Sequence, residues 1–84
     1  SNQQAYWALS QTRLFQGNLN EALFLAEKAV DLEPRLADSH LIVIQIAKIM
    51  GDDELVKKKA EEAIKVDPSW EPRIKEILGT KPRP

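Results

Sequence analysis

The sequence predicts an all-α fold: two antiparallel helical hairpins followed by a capping helix. Three observations carry this. The stretch Gly17 to Pro34 recurs as Gly51 to Pro68 at a spacing of 34 residues, with Ala26 returning as Ala60, Glu27 as Glu61 and Ala29 as Ala63. Apolar residues run at helical intervals between these markers. Each unit is punctuated by a glycine after one helical stretch and a proline after the next. A fixed period of this length marks a helical-hairpin repeat, in which each unit buries its apolar face against the next.

The 84 residues suffice for one small domain. A formal net charge of -1 gives no electrostatic case for nucleic acid or an anionic membrane. A hydrophobic share of 43% with 30% charged residues fits a folded chain. The absence of cysteine removes disulfides, thiolate metal sites and cysteine nucleophiles, and leaves the compartment open. No apolar run approaches the roughly 20 residues that span a bilayer, so direct membrane insertion is not expected. Ser1-Asn2 reads as the remnant of a cleaved tag and is set apart from the fold, which makes the chain a piece of a longer protein.

The first unit covers residues 3–34. Gln3 to about Gln16 forms its first helix, with Ala5, Ala8, Leu9 and Thr12 at helical spacing and Gly17 as the stop. The second helix runs from about Asn20 to Leu32, with Asn18 and Asn20 as turn and cap formers. Ala22, Leu25, Ala26 and Ala29 give it an apolar side, and Pro34 ends it. The second unit covers residues 35–68. Its first helix, about Leu36 to Met50, is apolar almost all round, as expected of a helix buried on more than one side. Asp53 is the expected cap of the next helix, about Glu54 to Val66. There Lys57, Lys58 and Lys59 are read as a solvated face, pairing Lys57 with Glu61 and Lys58 with Glu62. Residues 69–79 form a capping helix begun by Ser69 and stopped by Gly79, and residues 80–84 a frayed tail.

The repeated residues resemble the tetratricopeptide repeat, a 34-residue helix–turn–helix unit. The first unit supplies Tyr6, Leu9, Ser10, Gly17, Ala22, Ala29 and Pro34. The second supplies His40, Val43, Ile44, Gly51, Val56, Ala60, Ala63 and Pro68. The chain departs from that pattern where His40 replaces an aromatic, Ile44 a small residue and Ala26 a bulky aromatic. The last helix, with Ile74, Ile77 and Leu78, resembles the caps of such arrays. The resemblance implies a tetratricopeptide-like α-solenoid.

It also implies a concave groove lined by the first helix of each hairpin. By register the groove residues are Gln4, Trp7, Gln11, Leu14 and Phe15 in the first unit. In the second they are Asp38, Leu41, Gln45, Lys48 and Ile49. The implied function is a non-catalytic protein-interaction scaffold offering an apolar groove to a peptide, a partner domain or a second copy. Trp7, Gln11, Leu41 and Gln45 occupy places where chaperone-binding relatives carry a basic carboxylate clamp, so an acidic peptide terminus is not the expected ligand. A homodimer contacting through Trp7 and Phe15 is expected, because two units leave an end face open.

Two other classes compete with this reading. One is a structural segment extending a larger protein; bacterial membrane proteins of the O-antigen ligase type look similar, ending in short repeat pairs. The other is an enzyme or metal protein centred on His40 and the Asp52-Asp53 turn. Residues two apart on a helix do not face each other, so Asp38 and His40 form no local pair. The acidic turn lacks the alternating ligand spacing of calcium loops. No catalytic, cofactor or metal residue is assigned.

Overall fold

A computed structural model describes residues 1–79. The expected frayed tail, 80–84, lies outside the described residues. Among those described, the chain is all-α, with no strand. The helices are α1 (Asn2–Phe15), α2 (Leu19–Leu32), α3 (Ala37–Met50), α4 (Asp53–Val66) and α5 (Glu71–Leu78). A 3-10 turn, Pro68–Trp70, precedes α5.

The 34-residue period is written into the backbone hydrogen bonds of the turns. At the end of α1 the Gly17 N–H donates to the Leu14 carbonyl (3.0 Å) and the Asn18 N–H to Arg13 (2.9 Å). At the end of α3 the Gly51 N–H donates to Lys48 (3.0 Å) and the Asp52 N–H to Ala47 (3.2 Å). Both are Schellman closures, which satisfy carbonyls that the helix leaves unpaired. They require a left-handed residue, and both glycines have it, with φ of 80° and 77°. The exits of α2 and α4 match in the same way. Glu33 donates to Ala29 as Asp67 does to Ala63, and Leu36 donates to Glu33 as Trp70 does to Asp67.

A Cβ built on Gly51 meets no atom within 4 Å. Gly51→Ala therefore costs only the left-handed backbone, about 1–2 kcal/mol. Urea unfolding should show that loss with an unchanged slope.

Caps differ from the expected ones by a residue or two. Ser1 belongs to the fold: its Oγ accepts from the Gln4 N–H at 3.3 Å and caps α1. Asp52, not Asp53, caps α4, accepting from the Leu55 N–H at 3.1 Å. Of the two asparagines expected at this turn, Asn18 holds the cap position of α2, without a side-chain bond. Asp67 rather than Ser69 starts the last segment, accepting from both the Ser69 N–H (2.9 Å) and hydroxyl (2.7 Å). Those two bonds hold the Asp67 carboxyl below its ordinary value. A short acidic side chain one residue earlier reaches the same orphan N–H groups, which is why sequence places caps less well than helices.

Two clusters form the core, and α3 serves both. On one side Ile42, Val43 and Ile46 pack with Ala22 and Ala26 of α2, and Trp7 and Leu14 of α1 lie against them. On the other side Ile44 packs with Ala60 and Ala63 of α4, Trp70 and Ile74. The alanines let the helices approach closely, so large α3 side chains fill the space. This double burial explains the all-round apolar sequence of α3. The buried Gln3 amide donates to the buried Ser39 hydroxyl at 2.7 Å, bringing the first turns of α1 and α3 together.

Candidate interaction surface

The ten residues expected in the groove divide into three groups. Trp7 and Leu14 are half-buried against the first cluster, and Leu41 against the second. Their apolar surface is already engaged within the chain. Trp7 is half-covered because residues of α2 and α3 pack against it. Gln11 is also half-buried. Gln4, Phe15, Asp38, Gln45, Lys48 and Ile49 are exposed. Phe15 is 92% exposed and Ile49, its equivalent one period later, 58%.

The structure gathers three of these residues in one place. Gln45, Lys48 and Ile49 of α3 line an open cleft of about 630 Å³ together with Glu76 and Ile77 of α5. Ile49 and Ile77 give it an apolar floor, and Gln45, Lys48 and Glu76 bring polar groups to it. The Lys48 ammonium donates to the Ile77 carbonyl, so α3 and α5 are tied at the cleft. Asp38, at the far end of α3, pairs with Arg73 of α5 at 3.8 Å. Glu76 and Ile77 escaped the sequence reading because their helix was assigned to end-capping alone. Their signal was the register: α5 follows α3 by one period, and Glu76 and Ile77 stand at the positions of Ile42 and Val43, the side of α3 that meets the preceding helices.

A second, smaller cavity of about 230 Å³ lies among α2, α3 and α4, lined by residues including Glu27, Asp31, His40, Lys59 and Glu62. Lys59 bonds Glu27 of α2 at 3.0 Å and Glu62 at 3.5 Å. This corrects the reading of Lys57 to Lys59 as one solvated face. Lys59 stands one period after buried Leu25, a position that faces the neighbouring hairpin. Glu62 accordingly pairs with Lys59 rather than with Lys58.

Burial alone would lower the Lys59 pKa, but bonding to Glu27 and the charges of Glu27 and Glu62 outweigh it and raise the pKa above 10.5. A raised folded pKa adds stability that is complete below 10.5 and is lost as pH rises through the raised value. The stability difference between wild type and Lys59→Met should therefore be at most about 1 kcal/mol near neutrality. It should shrink only at alkaline pH, as read by urea unfolding across a pH series.

His40 is buried. Its Nε2 lies 2.7 Å from the Pro34 carbonyl, which can only accept, so Nε2 carries the proton. Its ring sits 5.2 Å from that of Trp70, tilted by 43°. The imidazole thus joins the α2–α3 connection to the last segment. Asp52 is committed to capping α4. Among the described residues no three His, Asp or Glu side chains are placed to hold a metal ion.

No family model, curated protein or solved structure matches this chain significantly. What the surface can do rests on its own geometry: a shallow, partly apolar cleft with hydrogen-bonding groups beside it, on a helical scaffold. Among the described residues no helix is long and apolar enough to cross a membrane.

Proposed function

We propose that this chain is a non-catalytic protein-interaction module of the tetratricopeptide type, taking a peptide segment of a partner protein on the face shared by α3 and α5. The observation that carries the reading is the cleft between Ile49 and Ile77. Apolar side chains left open beside groups that can orient a main chain are the usual make-up of a peptide site. Phe15, one period before Ile49, is likewise exposed. A partner with one aliphatic or aromatic anchor for Ile49 and Ile77, and polar groups for Gln45 and Glu76, fits this surface. Stacking of the hairpins as a short solenoid belongs to the same proposal, supported by the turn bonds that recur at 34 residues.

Panning a phage-displayed random peptide library on the wild type, in parallel with Ile49→Lys, tests this. Selected peptides should lose at least about tenfold in affinity for Ile49→Lys, since a large apolar contact is worth roughly 1.5–3 kcal/mol. Enrichment no greater on the wild type than on Ile49→Lys would reject the site.

A further inference from the structure

The smaller cavity, among α2, α3 and α4, shares no lining residue with the α3–α5 cleft. Its free polar groups are acceptors. Glu27, Asp31 and Glu62 bring three carboxylates to it, against the single ammonium of Lys59. That ammonium is engaged by Glu27 Oε2 and Glu62 Oε1. Each of these carboxylates keeps its second oxygen, and among the described residues Asp31 pairs with no base. The fourth acceptor is His40, only 8% exposed. Its Nε2 proton is given to the Pro34 carbonyl, so in the neutral ring Nδ1 carries a lone pair, and no donor among the described residues meets it. Among those residues every buried side-chain N or O atom has a partner. Nδ1 is therefore open to space, and the space this ring lines is the cavity.

We infer that this cavity binds an alkylguanidinium group, held by the carboxylates of Asp31, Glu27 and Glu62 and by His40 Nδ1. The excess of carboxylates selects a cation, and the unmet acceptors select one with several N–H donors. Among the described residues no three His, Asp or Glu side chains are placed to hold a metal ion, so the acceptors do not converge on a point charge. A guanidinium spreads five N–H donors over a plane and stays charged at any pH the protein survives, which suits acceptors set around a space. Val30 and Val43 complete the wall and suit the methylenes of its stem. At about 230 Å³ the cavity is below the roughly 300–1,000 Å³ of pockets for drug-sized molecules, so it takes a group of side-chain size. Such a group has two sources, a free small molecule and an arginine side chain of a polypeptide. This inference is independent of the α3–α5 cleft.

Amide NMR shifts of the intact chain, titrated with propylguanidinium chloride at constant ionic strength, test it. Saturable shifts should centre on Asp31, His40 and Glu62, with a Kd on the order of 1 mM. Propylurea has the same planar shape without the charge, and should bind at least about tenfold more weakly. Asp31→Asn and, separately, Glu62→Gln should each weaken binding about threefold while the rest of the spectrum keeps its folded dispersion. Glu76→Gln, in the α3–α5 cleft, should leave it unchanged. Acetyl-arginine methylamide separates the sources. Binding as tight as that of propylguanidinium assigns the site to an arginine side chain, and a loss of about tenfold or more assigns it to a free small molecule. Shifts that fail to saturate by about 30 mM propylguanidinium overturn the inference. So does equal binding of propylurea, or binding that withstands both acid substitutions.

Discussion

Trp70→Ala is expected to cost about 3–5 kcal/mol, the largest loss from any single truncation in this chain. Trp70 is 8% exposed and lies between the last turn and the second hairpin, in one cluster with Ile44, Ala60, Ala63 and Ile74. Its ring also closes over His40. Alanine leaves a cavity that the short α5 helix cannot refill, because α5 is held mainly through this cluster and a few bonds to α3. A small domain has a total stability near the lower end of about 5–15 kcal/mol, so most of it is at risk. Urea unfolding followed by circular dichroism measures the loss. A shift below about 1 kcal/mol would mean that the last segment does not support the second core.

Ile46→Ala should follow closely, at about 2–5 kcal/mol. Ile46 is fully buried in the first cluster, facing Ala22 and Ala26, which are too small to move into the space. Ile44, two residues earlier, is fully buried in the second cluster. The two isoleucines therefore report on opposite sides of α3. The milder Ile44→Val and Ile46→Val should each cost about 0.5–1.5 kcal/mol, and the double variant should lose their sum to within about 0.5 kcal/mol. A clear departure from additivity would show that the two clusters behave as one. Tryptophan fluorescence helps to separate them, since Trp7 lies against the first cluster and Trp70 within the second.

The sequence by itself determined the helices, their order and their stops. Those depend on local chemistry: glycine reaching positive φ at 17 and 51, proline ending a helix, and apolar residues at helical spacing. The repeat supplied a second, independent copy of each signal, so helix bounds came within one or two residues. Even the double-sided burial of α3 was legible, because an all-round apolar helix has to be covered on more than one side. The tertiary structure alone decided which apolar residues stay open. Trp7 and Phe15 look alike in the register, yet one lies on a core and the other in solvent, because α3 covers only one side of α1. Leu9 and Val43 hold equivalent positions, and Val43 is buried because a hairpin stands against it. Lys59 and Glu27 are 32 residues apart in sequence, and their ion pair exists only once α2 and α4 meet. Burial is a property of the neighbour that arrives, and no single helix encodes it.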